Sequence, residues 1–338
     1  MSKNKTKVLE IFLVIVSMLI PVVAVEAYFH YKGEYKPPSF PPNTPRPELY
    51  AFHESYGYRL HPSLETSYIY PKSAPRELQI TSNSDGFRTN REFDEADSRP
   101  RVLILGDSFV FGEGVEAEER FTNLLEKQAP SWRVINMGMT GYGPDLMLRA
   151  FETLGPKSQP DLVLLNIYTD DFRRVQPFYT GAGFQIPRYA LGESGQLQSI
   201  PYPEPTFFDN FRIVQAIKHV YWEQTKMDYR INEAILNRFL TLTRDKNIDI
   251  AITFLPGHSD TSADKERRGW LAQYALQHEI PYLDFTDAIH EEERDVVFIK
   301  GNWHYNLVGH TILATMLEPF LKNAFPNLEQ SRPVSPDQ

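Results

Sequence analysis

Hydrophobic and polar positions divide the chain into three stretches. The first is an apolar run from Val8 to Val25, with Glu10 near its start as its one internal charge. Eighteen helical residues rise about 27 Å, close to the roughly 30 Å hydrocarbon core of a bilayer. Lys3, Lys5 and Lys7 precede the run, and Tyr28, Phe29 and Tyr31 follow it as an interfacial aromatic belt. The positive flank predicts a single-pass helix with its N-terminus in the cytoplasm and the remainder periplasmic or extracellular. Val25-Glu26-Ala27 imperfectly resembles a small-x-small cleavage site, and the length of the run favours an uncleaved signal-anchor.

The second stretch is irregular. Residues 32–48 carry Pro37, Pro38, Pro41, Pro42, Pro45 and Pro47, a composition that predicts a stiff extended spacer. Residues 49–100 are polar and rich in Tyr and Pro, which predicts short strands and loops.

From Arg101 the pattern alternates. The apolar run Val102–Leu105 and the largely apolar segments Trp132–Asn136, Asp161–Ile167, Ile248–Phe254 and Tyr282–Phe285 predict five buried strands. Between and after them, Glu118–Ala129, Pro144–Leu154, Asn232–Asp245, Lys265–His278 and Leu307–Leu321 show helical spacing. Strands without polar alternation, separated by helices, predict an α/β fold whose parallel sheet is covered on both faces. In such sheets sites form beyond the carboxyl ends of the strands. The expected organisation is residues 1–27 stub and membrane helix, 28–83 spacer and extension, 84–325 the main domain with 172–230 as an insert or lid, and 326–338 a disordered tail.

Composition narrows the chemistry. The chain has 338 residues, 41% hydrophobic and 23% charged, which is globular. With 35 basic against 44 acidic residues and no basic patch, nucleic acid is not an expected partner. There is no cysteine, so disulfides, thiolate nucleophiles and Cys-ligated metals are excluded.

The residues past the strand ends carry the candidate chemistry. Gly106-Asp107-Ser108 directly follows the first strand, so the serine hydroxyl is presented at a strand-to-helix turn with free backbone N–H groups beside it. Together with Ser84-Asp85-Gly86-Phe87-Arg88, Asn136-Met-Gly-Met-Thr-Gly-Tyr142, Pro160-Asp-Leu-Val-Leu-Leu165 and Asn302-Trp-His304-Tyr-Asn306 followed by Gly309-His310, this segment resembles the SGNH (GDSL-type) hydrolase family, in its bacterial membrane-anchored form. The resemblance implies a three-layer flavodoxin-like fold around a parallel sheet of about five strands. It implies Ser108 as nucleophile, His304 as general base, and the N–H groups of Ser108 and Gly141 as oxyanion donors. It implies no cofactor. His310 reads as structural and His258 as a loop histidine.

Two positions depart from the family pattern. Asp170 stands where the family has an oxyanion-binding Asn, and an ionised carboxylate only accepts hydrogen bonds. Thr169 is an alternative donor, while Asn166 lies on the strand, too far from the edge. Asn302 stands where the family has the Asp that orients the histidine; Asn accepts from Nδ1–H but brings no charge, and Asp295 or Asp284 is the alternative source of a carboxylate. Arg173 and Arg174 are expected to pair with Asp170 and Asp171. A metal cluster of Asp107, Asp170, Asp171, His258 and His304 lacks ligand spacing, so no metal is expected. The expected activity is hydrolysis or transfer of an acyl ester on an extracytoplasmic acylated carbohydrate or lipid ester. The alternative is a catalytically degenerate module that binds a glycan or a protein. Aromatics of the 172–230 segment, including Phe178, Tyr179, Tyr189, Tyr202, Phe207 and Phe208, serve either to contact substrate or to pack the segment itself.

Overall fold

The computed structural model describes residues 2–37, 46–70, 76–94, 96–176, 179, 186–200 and 206–329. Pro38, Pro41, Pro42 and Pro45 of the spacer, Phe178, Tyr202 and the tail from residue 330 lie outside the described residues. The chain separates into two compact units, Met1–Asn43 with Pro203–Met227, and Thr44–Tyr202 with Asp228–Gln338.

The smaller unit holds α1 (Ser2–Lys32), a 3₁₀ turn at Phe207–Asn210 and α5 (Arg212–Gln224). Within Lys7–Lys32 the mean hydropathy reaches 2.8, and none of that apolar window is buried. This helix is long and apolar enough to cross a bilayer.

The larger unit begins with two antiparallel hairpins, β1 (Tyr50–His53) with β2 (Gly57–Leu60), and β3 (Glu65–Ile69) with β4 (Glu77–Thr81). The alternating unit follows in the order β5 (Arg101–Gly106), α2 (Ser108–Phe111), α3 (Phe121–Gln128), β6 (Arg133–Gly138), α4 (Pro144–Ser158) and β7 (Leu162–Tyr168). A third hairpin, β8 (Arg188–Leu191) with β9 (Leu197–Ile200), lies in the 172–230 segment, where no element is expected from sequence. The rest of the unit is α6 (Met227–Arg244), β10 (Asp249–Leu255), α7 (Ser262–Gln277), β11 (Tyr282–Asp284), α8 (Thr286–His290), α9 (Arg294–Val297) and α10 (Leu307–Ala324).

Five strands form one parallel sheet in the order β11-β10-β7-β5-β6. Numbered by their appearance in the chain, that is 2-1-3-4-5, the flavodoxin-like order, and its switch point lies between β5 and β7. Both faces are covered, which is why β5 and β6 are buried at every position. Val102, Ile104, Leu162, Leu164 and Ala251 point to one face and pack with Phe121 and Leu125 of α3 and Leu313, Leu317 and Leu321 of α10. On the opposite face α4 packs against β5, and its Phe151 ring lies 5.5 Å from Phe239 of α6. Trp132 closes the α3–α10 layer from below, fully buried with its indole N–H on the Leu328 carbonyl at 2.9 Å.

His310 belongs to this packing. It is 1% exposed, and its Nδ1 accepts the Phe121 N–H at 3.3 Å. Burial, together with the charges of Arg120, His304 and Arg88, pushes it down to about 3. The unfolded chain therefore binds a proton below pH ~6.5 that the folded chain refuses, and stability falls as pH drops through that window. From pH 7 to pH 5 this one site should cost about 2 kcal/mol. The check is the thermal midpoint at the two pH values, with His310→Gln expected to show a smaller acid-induced drop.

Candidate active site

β5 ends at Gly106, and α2 starts two residues later with Ser108 at its first helical position. Asp107 caps the helix, its Oδ1 accepting the Phe109 N–H at 2.9 Å. The short helix turns back tightly over β6. A Cβ on Gly138 would lie 2.4 Å from the Phe111 nitrogen and 2.6 Å from the Val110 carbonyl carbon, so only glycine permits this crossing. The same crossing sets Ser108 at the carboxyl edge of the sheet beside the switch point.

The structure brings Ser108 and His304, 196 residues apart in sequence, into direct contact: Oγ to Nε2 is 2.8 Å. Both residues are largely buried, at 4% and 7% exposure. His304 sits in the segment just before α10, whose N-terminus is capped by Asn306 through the Val308 and Gly309 N–H groups. Its Nδ1 faces Asn302 Oδ1 at 2.8 Å. The same oxygen accepts the Trp303 N–H at 2.7 Å and the His304 N–H at 3.2 Å. Three donors converge on it, so the carboxamide must present its oxygen, and Nδ1 carries the hydrogen. That leaves the Nε2 lone pair directed at the serine hydroxyl. Asn302 thus fixes the tautomer in which Nδ1 carries the hydrogen and Nε2 is the acceptor.

Burial lowers the His304 imidazole below its ordinary value; Glu113 and Asp107 pull it back up, while Arg174 and Arg46 push it further down. At neutral pH the ring is the free base.

Gly141 follows β6 in a loop with φ +79°, a left-handed conformation suited to glycine. The loop is tied by the Tyr142 N–H on the Met139 carbonyl (3.0 Å), by Tyr58 Oη on the Thr140 carbonyl (2.6 Å) and by Tyr179 Oη on the Gly141 carbonyl (3.1 Å). Among the described residues, neither the Ser108 nor the Gly141 N–H has a hydrogen-bond acceptor.

The residues after β7 differ from expectation at one point. Thr169–Arg173 forms a 3₁₀ turn that rotates successive side chains away from each other. Asp170, expected at the oxyanion position, faces outward: it is 43% exposed and pairs with Arg173 at 2.8 Å and Arg267 at 3.5 Å. Thr169 gives its hydroxyl to Asp264, and the Asn166 carboxamide oxygen takes the Thr253 hydroxyl at 2.6 Å within the sheet. No side chain of this turn replaces the family's Asn.

Asp171 turns inward and is fully buried. Arg174 bridges it to Asp107 (2.8 Å) and also donates to the Tyr142 carbonyl (2.8 Å), so one guanidinium ties the serine turn, the Gly141 loop and the β7 turn. Burial and the neighbouring Asp107 raise the Asp171 carboxyl well above its usual range, opposed by Arg174. The pairings expected from sequence, Arg173 with Asp170 and Arg174 with Asp171, are those observed.

Sequence reasoning missed Glu113 and Arg46. Glu113 is 6% exposed, and its N–H donates to the Ser108 carbonyl at 3.0 Å. Its carboxylate takes Arg46 at 3.0 Å and the Thr140 hydroxyl at 3.1 Å, next to Gly141. Burial pushes this carboxyl up, but His304, Arg46 and the two hydrogen bonds hold it below its ordinary value. An acidic residue five positions after the serine was the available signal; its partner 67 residues earlier gave none.

Asp284 is engaged by the Thr286 N–H and hydroxyl and by Arg268, and Asp295 is exposed on α9, so neither orients His304. His258 is exposed, with its ring near Phe298. Among the described residues, no group of three or more His, Cys, Asp or Glu is arranged to hold a metal.

No protein-family model matches the sequence, and no curated protein does. Solved structures with a similar fold include the psychrotrophic esterase EstA from Pseudoalteromonas sp. (15% identity, 68% of this chain and 100% of that one, TM-score 0.45). A member of the lipolytic G-D-S-L family from Veillonella parvula aligns at 16% identity over 67% of this chain and 98% of its own, TM-score 0.43. A GDSL-like lipase from Bacteroides thetaiotaomicron aligns at 14% identity over 69% and 92%, TM-score 0.44. At these identities none of them lends its substrate to this chain.

Proposed function

We propose that this chain is an SGNH-type serine hydrolase acting on acyl esters, with Ser108 as nucleophile and His304 as general base. The observation that carries the reading is the 2.8 Å contact between Ser108 Oγ and His304 Nε2, with Asn302 fixing the opposite ring nitrogen. A hydroxyl in hydrogen-bond contact with an oriented, neutral imidazole is an activated nucleophile.

The reaction follows from that geometry. His304 Nε2 takes the hydroxyl proton as Oγ adds to the ester carbonyl carbon. The Ser108 and Gly141 N–H groups hold the resulting oxyanion. The tetrahedral intermediate collapses, His304 returns the proton to the departing alkoxide, and an acyl-serine remains. A water or a sugar hydroxyl then adds to the acyl carbon with His304 again as base, the acyl–Oγ bond breaks and the imidazolium returns the proton to Ser108, which makes the outcome hydrolysis or transfer. The imidazolium formed on the way receives its electrostatic support from Glu113 and Asp107, since Asn302 is neutral.

The N-terminal helix anchors the chain with its N-terminus in the cytoplasm, and the substrate is an acylated carbohydrate or lipid ester beyond the membrane. The apolar run from Val8 to Val25 and the three lysines that precede it support this choice. The main domain spans residues 84–325, with 172–230 as its insert.

Full-length protein treated with a fluorophosphonate probe should be labelled stoichiometrically, with the adduct mapping to the peptide that contains Ser108. An unlabelled protein, or an adduct elsewhere, would remove the enzyme reading and leave a glycan- or protein-binding module.

Asn302→Asp tests the orienting role. A carboxylate facing Nδ1–H favours the protonated ring, so the His304 pKa should rise from its depressed value. The acid limb of kcat/KM should move to higher pH, and the plateau rate should increase about tenfold or more, the direction opposite to that of Asp-to-Asn changes in serine triads. The measurement is p-nitrophenyl ester hydrolysis over roughly pH 4 to 9. An unmoved acid limb would mean that position 302 does not face the imidazole.

A further inference from the structure

The turn that precedes α5 is built inside out. Of the four residues Phe207–Asn210, the aspartate is buried and the two aromatic rings face outward: Asp209 is 8% exposed, Phe207 72% and Phe208 65%. The polar interior is fully engaged. Asp209 Oδ2 accepts the Thr206 N–H and hydroxyl at 2.8 Å each, and its other oxygen pairs with Lys218 and takes Gln215. Outside, the Phe207 ring lies 5.8 Å from Phe208 and 5.4 Å from Phe211, which is itself 36% exposed. Water rewards the reverse arrangement; a turn that hides its charge and clusters its rings outward is suited to an apolar surrounding.

The position of the turn on α1 says which surrounding. Glu26 is the first charged residue after the apolar run that ends at Val25. Its two carboxylate oxygens accept the Arg212 and Ile213 N–H groups, at 2.9 Å each, and so cap the first turn of α5. Arg212 reaches on to the carbonyls of Phe29 (3.1 Å) and Glu34. Two turns further along α5, His219 meets Tyr35, with ring centroids 5.5 Å apart. Levels therefore match as Arg212 with Glu26 and His219 with Tyr35. α5 runs alongside the end of α1 and away from the apolar run, and the Phe207–Asn210 turn is at the end nearest Val25.

We propose that Phe207, Phe208 and Phe211 form a membrane-contact foot that enters the interfacial layer of the leaflet from which α1 emerges. This rests on the reading of α1 as a membrane span. Apolar side chains on a short helical element at that depth sit at the boundary between headgroups and acyl chains. The carboxylate of Glu26 fixes the register between span and foot, because it is the hydrogen-bond acceptor for the start of α5.

The absence of cysteine makes the test clean. Single variants Phe208→Cys and Met18→Cys of the full chain, each at an exposed position, are labelled with the environment-sensitive fluorophore NBD. They are then reconstituted in phosphatidylcholine–phosphatidylglycerol vesicles that carry spin-labelled lipids. NBD at position 18 should be quenched best by a deep spin label, and NBD at 208 about twofold or more by a shallow one, with a blue-shifted emission. Quenching at 18 without quenching at 208 overturns the foot and keeps the span; it would point instead to a protein partner or a second copy on this cluster. No quenching at either position overturns both.

Discussion

Ser108→Ala should reduce ester hydrolysis by at least about 10³-fold and abolish fluorophosphonate labelling, while the thermal midpoint stays within a degree or two of the wild type. The size follows from what the hydroxyl does. It is the atom that forms the acyl bond, and no cysteine exists to substitute. The small effect on stability follows from its contacts. Ser108 Oγ has His304 at 2.8 Å and Asp107 at 3.3 Å, while the capping of α2 is done by Asp107 and survives the change. His304→Ala should approach the same rate floor, and the double variant should be hardly slower than either single one. Two residues that act as one unit lose their joint contribution once. If the two single losses multiplied instead, Ser108 and His304 would be working independently, and the proton-transfer scheme would fail.

Arg174→Met should be the most damaging single change for the fold. Arg174 is the shared partner of Asp107 and Asp171, both fully buried, and it ties three loops through the Tyr142 carbonyl. Methionine keeps much of the volume and removes the charge, so two carboxylates face each other without a cation. Breaking a buried pair by deleting one partner typically costs about 3–5 kcal/mol. The sign of the pH dependence is fixed as well. Without the guanidinium that opposes the rise, the Asp171 carboxyl is held still further above its ordinary range than in the wild type. The folded form then gains relative stability as pH falls, and the deficit of the variant should shrink between pH 7 and pH 5. Arg174→Met/Asp171→Asn should recover part of the loss at pH 7. Thermal midpoints of the full chain in detergent at both pH values decide it. A deficit independent of pH, or no rescue by Asp171→Asn, would show that Arg174 acts through packing rather than charge. Arg188 reinforces this centre: it donates to the Arg174 carbonyl at 2.6 Å and pairs with buried Asp145 at 3.1 Å.

The Asp170 position shows how far a motif reaches. Its alignment with the family's Asn concerns chain position only. Whether a side chain at that position faces the nucleophile depends on the turn that follows the strand. Here a 3₁₀ turn swings Asp170 out to Arg173 and brings Asp171 in to Arg174. The orientation of Asn302 was equally beyond the sequence. Its amide can face either way, and it is the two backbone N–H groups of Trp303 and His304 that turn the oxygen toward Nδ1.

What the sequence determined by itself is whatever depends on neighbours in the chain. Largely apolar segments without polar alternation dictate strands buried on both faces. A glycine-aspartate-serine step after the first of them dictates a hydroxyl at a strand end, and the apolar N-terminal run dictates a helix that water does not favour. These follow from backbone periodicity and local burial, which a few successive residues fix. Boundaries drifted where capping and packing overrule spacing: α4 runs on to Ser158 through Gly155 and Pro156, and α6 starts at Met227. Only the tertiary structure decided which distant charges meet. Glu113 with Arg46, Asp107 with Arg174 and Ser108 with His304 lie 67, 67 and 196 residues apart. Chain closure over such spans carries no local signature, because each pair is selected by the layer order of the sheet and by the cost of leaving a buried charge alone.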